Sequence, residues 1–308
     1  MQALTDPTWL PWLALLFGLL VGSFLNVVIH RIPAMLTRDW RGQALLLMEE
    51  WAADQEAPAQ VREVGQSLKP VRQRLQSQPE RPYNLFVPRS ACPACGRQIR
   101  AWENVPVLSW LALRGRCAGC KARISPRYPL VEAFTGVVFA YAAWRFGFSW
   151  TTLGALVFCG FLIAGSMIDF DTKLLPDDLT LPLLWLGLLF NLAGVFAALP
   201  AALIGAVAGY LALRVIYEAF KFATGKEGMG FGDFKLLGAI GAWFGWQSLL
   251  PVVLISAGVG SVVGVSLILF WSHARENPIP FGPYLALGGM IYLFWGKPIN
   301  AYLYSAWL

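Results

Sequence analysis

Two short acidic stretches hold the residues best suited to chemistry. The first is Ile168-Asp169-Phe170-Asp171-Thr172-Lys173-Leu174-Leu175-Pro176-Asp177-Asp178, and the second is Gly228-Met229-Gly230-Phe231-Gly232-Asp233-Phe234-Lys235. Asp169 closes one apolar segment and Asp233 opens another. An ionisable group at the edge of an apolar helix is a functional candidate by default. Gly228, Gly230 and Gly232 let the backbone approach a neighbour and bring Asp233 to that edge. Two carboxylates sharing one site cannot both ionise cheaply, so one keeps its proton. The charged partner then takes a proton from water while the protonated partner polarises a peptide carbonyl. Such a pair hydrolyses an amide without a covalent enzyme intermediate. The residues alone do not decide between Asp169 and Asp171. Asp171, Asp177 and Asp178 also suit helix ends or a solvated loop, with Pro176 starting the next helix and Asp178 near its positive end. Other hydrolytic machinery is missing. The two histidines, His30 and His273, form no HExxH pattern, and no GxSxG is present.

A second cluster is built from cysteine. Cys92-Pro-Ala-Cys95 and Cys117-Ala-Gly-Cys120 are two CxxC knuckles separated by 21 residues, with Gly96 and Gly119 available for tight turns. Four thiolates suit a tetrahedral zinc ion with a structural role, since no coordination position stays open. Two disulfides are the alternative, disfavoured by a reducing cytoplasm. The fifth cysteine, Cys159, lies in an apolar segment and reads as an inert core residue.

The elements that must position these residues are membrane helices. Apolar residues make up 57% of the 308, charged residues 14%, and mean hydropathy is +0.55. That composition excludes a disordered chain, a disulfide miniprotein and an ordinary cytosolic enzyme. The stretch Leu10 to Ile29 is uncharged and 20 residues long, enough for about 30 Å of hydrocarbon. No basic segment precedes it and no small-x-small site follows it, so it reads as a retained span. Further spans are expected near 129–147, 150–168, 179–198, 201–220, 235–247, 249–271 and 281–296. The 235–271 stretch is long for one helix and short for two, so one of its helices should be short or tilted. The expected fold is an all-α polytopic membrane protein of about eight transmembrane helices. A cytoplasmic zinc-binding domain is inserted after the first. The divisions are 1–30 for the first helix, 31–127 for the zinc-binding domain and 128–308 for the multi-span domain.

Charge sets the orientation. Residues 31–127 hold 16 of the 24 Lys and Arg, beginning directly after the first span with Arg31, Arg38 and Arg41. Positive loops stay in the cytoplasm, so the N-terminus faces outward and the polar block inward. Alternation then puts Lys173, Lys221, Lys226, Lys235 and Arg275 inside and only Arg145 and Lys297 outside. Two spans separate Asp169 from Asp233, so both return to the cytoplasmic boundary. Within the block, Val61, Val64, Leu68, Val71 and Leu75 follow a helical period that Pro70 interrupts, which predicts two short amphipathic helices. No nucleic-acid motif is present. Orientation and anionic lipid account for the basic excess. A non-catalytic scaffold remains an alternative. A transporter is disfavoured because the few charges within spans, Glu132, Arg145, Arg214, Glu218 and Lys235, fall near span ends.

Seven segments together carry a family resemblance. They are GSFLNVVIHRIP at 22–33, the paired knuckles, ENVPVLSW at 103–110, SPRYPLVE at 125–132, IDFDTKLLPDDLTLPLLW at 168–185, GKEGMGFGDFKLLGAIGAWFGW at 225–246 and PIPFGPYL at 278–285. The chain resembles the type IV prepilin peptidases, bifunctional leader peptidase/N-methyltransferases of bacterial inner membranes. Residues 39–82 are the least family-like. The resemblance implies a GxGD-type aspartic protease whose catalytic pair is Asp169 and Asp233. Its substrates would be type IV prepilins and type II secretion pseudopilins, with a short basic leader cut after Gly and before Phe at the cytoplasmic face. It also implies methylation of the new N-terminal amine with S-adenosylmethionine. No glycine fingerprint marks a binding site for that donor. Glu103, Asn104 and Gly115 are its candidate positions, equally suited to turns before Pro106 and before the second knuckle. The prolines at 278, 280 and 283 suit an inner loop near the acids or a plain turn before a helix.

Overall fold

A computed structural model describes residues 8–54, 56–77, 82–271 and 279–305. His273, Arg275 and Pro278 lie outside these residues. Ten α-helices form among them: α1 Leu10–Ala53, α2 Ala59–Ser77, α3 Leu108–Ala112, α4 Arg127–Phe146, α5 Trp150–Thr172, α6 Asp177–Leu192, α7 Leu199–Thr224, α8 Phe231–Phe244, α9 Leu249–Trp271 and α10 Gly282–Ser305. No β-strand occurs among the described residues, only two isolated bridges. Each expected span carries a helix, but the lengths are unequal. Four helical stretches are long and apolar enough to cross a membrane: Leu10–Ala53, Trp150–Thr172, Leu199–Thr224 and Trp246–Phe270. In the 235–271 stretch α8 is the short member, with 14 residues against 23 for α9. Its rise is about 21 Å, well under a hydrocarbon thickness of about 30 Å.

Contacts divide the chain into two units, His30–Ile99 and the remainder, Met1–Ile29 with Arg100–Leu308. In the smaller unit two expectations change. The first helix does not end at Ile29 but runs through Pro33 to Ala53. Residues 59–77 form one helix through Pro70 rather than two. A proline removes one N–H and strains one turn. Here α2 is braced from outside, because Gly65 packs on the Ala52 side chain of α1. Arg31 is 8% exposed and donates to the Asn84 and Pro88 carbonyls at 2.7 and 2.5 Å. The Arg38 guanidinium lies 4.0 Å from the centre of the Tyr83 ring. A buried charge is tolerated when its donors are engaged in this way.

In the larger unit α8 is the centre. It packs mainly on α7 and α6, with α10 also against it. Ten of its fourteen residues are buried. Apolar periodicity cannot mark an inner face on such a helix, so small residues set the packing. Gly205 and Gly209 on α7 form a GxxxG pair. A Cβ at Gly205 would stand 2.4 Å from the Gly241 carbonyl oxygen, and one at Gly209 would stand 2.7 Å from the Leu237 carbonyl oxygen. Trp243 is fully buried and donates from Nε1 to the Leu183 carbonyl at 2.8 Å, in space left by Gly187. Asn191 closes the far end of α6. Its amide donates to the Ala242 and Trp243 carbonyls and accepts from the Phe196 and Ala197 N–H groups, all within 3.0 Å. On the other flank α1 meets α4 through Gly18 and Gly22, which face Gly136 and Glu132.

Candidate active site

The residues that end α5 and begin α8 place the two acids. α5 stops because Lys173 adopts a left-handed conformation and returns its N–H to the Asp169 carbonyl at 2.8 Å. Lysine in that conformation costs roughly 1–2 kcal/mol that glycine would not. The chain then extends to Pro176, which precedes α6 with Asp177 and Asp178 in its first turn, as the sequence predicts. α8 starts after Gly230, and Asp233 lies in its first turn. Gly232 must be glycine: a Cβ there would stand 2.5 Å from the Leu175 Cβ. Leu175 therefore brings the segment leaving α5 against the start of α8. Gly228 faces a different neighbour, where a Cβ would stand 2.8 Å from the Phe220 ring, while a Cβ at Gly230 would meet nothing nearer than 3.7 Å.

Both acids are buried, with Asp169 5% and Asp233 7% exposed. Asp233 follows Gly232, which lies against Leu175, six residues beyond Asp169. Asp169 Oδ2 accepts the Gly282 N–H at 3.0 Å, from the start of α10. Asp171 takes a different position. It is exposed and paired with Arg127 at 2.6 Å, while Arg127 also donates to the Met167 carbonyl at 3.2 Å. Asp177 is paired with Lys235 at 2.5 Å. The structure thus brings Asp169 and Asp233 together and turns Asp171 away. Three neighbours escaped the sequence reading: Leu175, Gly282 and the Asp177–Lys235 pair. Only the pair left a usable signal, an opposite charge on each of two helix starts.

The four cysteine sulfurs of the knuckles lie within 4.8 Å of one another, and no disulfide joins them. A tetrahedral Zn–S₄ site has sulfurs about 3.8 Å apart, so the set fits such an ion after a contraction of about 1 Å. The knuckles repeat one another with an offset of 25 residues. Cys92 N–H bonds to the Arg97 carbonyl and Cys117 N–H to Ala122, at 2.9 and 2.8 Å. Gly96 N–H bonds to Cys92 and Lys121 N–H to Cys117, at 2.9 and 3.0 Å. The left-handed position of the first turn is Gly96, as expected. In the second it is Lys121 and not Gly119. Cys159 is fully buried, as the sequence implies.

The candidate donor-site residues have local partners. Glu103 and Asn104 form a single 3-10 turn, and Glu103 Oε2 accepts the Arg100 N–H at 3.1 Å. Gly115 has φ +64°, and a Cβ there would stand 2.8 Å from the Trp110 ring. Sequence reasoning gave no role to Glu132. It is buried, accepts the Val107 N–H at 2.7 Å and bonds the Ser23 side chain. Val107 has φ 59°, strained for a β-branched residue, and Glu132 holds it there.

Two family models match. The bacterial peptidase A24 N-terminal domain covers residues 16–146, and the type IV leader peptidase family covers 156–265. Curated relatives named prepilin leader peptidase/N-methyltransferase match nearly end to end. One from Stutzerimonas stutzeri is 52% identical over 94% of this chain and 91% of its own. One from Aeromonas hydrophila is 50% identical over 97% of each. One from Pseudomonas aeruginosa is 49% identical over 93% of this chain and 90% of its own. No solved structure gives a significant match. With both acids inside one model, all four knuckle cysteines inside the other and relatives about half identical over nearly the whole chain, the chain belongs to the type IV leader peptidase family.

Proposed function

We propose that this membrane protein removes the leader from type IV prepilins and type II secretion pseudopilins and then methylates the new N-terminus. Asp169 and Asp233 are the catalytic pair. Between them they hold one proton. The ionised carboxylate draws a proton from water as the water oxygen attacks the carbonyl carbon of that Gly. The protonated carboxyl donates to the carbonyl oxygen, and the C–N bond to Phe breaks as the amine takes up a proton. No covalent enzyme intermediate forms. The observation that carries this reading is the burial of the two acids at helix ends that Leu175 and Gly232 bring against one another.

Cleavage takes place at the cytoplasmic face of a bacterial inner membrane, with the N-terminus outside. Eight helices, α1 and α4 to α10, cross the bilayer, α8 as the short one, and 31–127 is a zinc-binding domain inserted after the first. Cys92, Cys95, Cys117 and Cys120 hold Zn²⁺, which organises that domain. S-adenosylmethionine supplies the methyl group. We place it by Glu103, Asn104 and Gly115, which flank in sequence the Val107 whose N–H Glu132 accepts. The partners are the pilin substrates and the lipid bilayer, with no nucleic acid.

The test is purified protein, a synthetic prepilin and labelled S-adenosylmethionine, with mass analysis of the product's N-terminus. Asp169→Asn and Asp233→Asn are expected to lower leader removal at least 1000-fold, as losing one of a catalytic unit does. Both should still methylate a pilin supplied already cut. Wild-type cleavage by either variant overturns the assignment.

A further inference from the structure

A carboxylate that activates water must present one oxygen in one direction. Nothing in the IDFD segment fixes Asp169 in that sense. The fixing group comes from 113 residues further along the chain, the Gly282 N–H on Oδ2. Gly282 is buried and opens α10. A Cβ at this position would stand 2.5 Å from Oδ2 and 3.2 Å from the Asp169 carboxyl carbon. Any larger residue must displace the carboxylate or part α5 from α10. Two further donors of that turn are engaged and a third is missing. Tyr284 and Leu285 N–H both bond to the Phe281 carbonyl, at 3.0 and 3.1 Å. Pro283 has no N–H, and Pro280 and Pro283 fix the backbone on either side of Phe281 and Gly282.

We propose that Gly282 is a positioning residue for peptide hydrolysis. Its N–H anchors Oδ2 of Asp169, and its missing side chain admits the carboxylate, so Oδ1 is the oxygen left to take the proton from water. Turning about Cβ–Cγ is thereby blocked before substrate arrives, which removes a reorganisation cost from the reaction itself. The inference rests on Asp169 being one of the catalytic pair.

Its test uses the full-length protein with prepilin and compares Gly282→Ala, Asp169→Asn and Gly258→Ala. Gly258 has nothing within 4 Å of a built Cβ and serves as the control. Gly282→Ala is expected to lower kcat about 100-fold, the scale of a misplaced catalytic group, with KM unchanged. Methylation of a pre-cut pilin and the Gly258→Ala rate should stay at the wild-type level. Full kcat in Gly282→Ala, with Asp169→Asn dead, overturns the inference and leaves the catalytic pair standing. Full activity in Asp169→Asn overturns the pair instead. A loss in Gly282→Ala shared equally by cleavage and methylation marks a general structural role and also overturns it. A second measurement is independent of activity. Asp169→Ala removes the two nearest atoms that the new Cβ meets, leaving nothing closer than the Asp169 Cβ at 3.6 Å. Gly282→Ala should therefore lower the melting temperature in the wild-type background and not in the Asp169→Ala background. Equal losses in both backgrounds overturn the proposal.

Discussion

Asp169 and Asp171 stand two residues apart on one helix, about 200° apart around its axis. Burying one against α10 therefore turns the other outward to Arg127. Both the burial and the ion pair are long-range facts, and both acids have apolar neighbours in sequence, so the residues themselves could not separate them. Asp171→Asn removes a half-exposed pair of the kind worth about 0–1 kcal/mol. Leader removal by that variant should stay within about 5-fold of wild type, and initial rates on prepilin check it. A loss as deep as that of Asp169→Asn would return Asp171 to the catalytic pair. Gly282 was illegible for a similar reason. It acts through a backbone N–H, which every residue but proline has, and its small size matters only because of a carboxylate 113 positions away. Asp233 and the need for glycine before it were legible, whereas the reason, Leu175, was not.

At the scale of elements, the positions of the helices were legible and their lengths less so. A run of apolar residues ends where charge begins, but a helix ends where its backbone finds a cap. α1 passes Ile29 without such a cap, and α2 passes Pro70 because α1 supports it. Which faces meet was also hidden, since α8 is apolar from Leu236 onward and small residues such as Gly205, Gly209 and Gly241 mark the seam. A Cβ on Gly241 would stand 2.1 Å from the Gly205 oxygen, so Gly241→Ala must force the helices apart. Overpacking of this kind costs about 1–3 kcal/mol. The melting temperature in detergent should fall, and cleavage should fall with it because α8 carries Asp233. An unchanged melting temperature would mean that the seam is looser than its geometry.

For the whole molecule, composition alone separated a polar block from an apolar remainder, and the cysteine spacing announced a four-thiol cluster able to hold a metal ion. The repeat that shapes the two knuckles was not legible, because Lys121 occupies the turn position that Gly96 fills in the first. Removing one thiolate should show what that site does. Cys117→Ser is expected to lower bound zinc from about one per chain to near zero. It should also admit protease to residues 85–125, while leader removal survives in part. Metal analysis, limited proteolysis and cleavage rates on one preparation check all three. A fully protected region without zinc would mean that the knuckles fold on their own hydrogen bonds.

The brevity of α8 bears on how the reaction is fed. The Tyr217 ring of α7 meets the Phe231 ring at the first residue of α8, 5.5 Å between centres, yet α7 continues to Thr224. Those seven further residues rise about 10 Å beyond the point where α8 begins. Asp233, two residues into α8, therefore lies below the end of its taller neighbour rather than level with it. The hydrolysis proposed above consumes water, which hydrocarbon cannot supply, so for that reaction the stunted helix shortens the way water has to travel to a pair of buried acids.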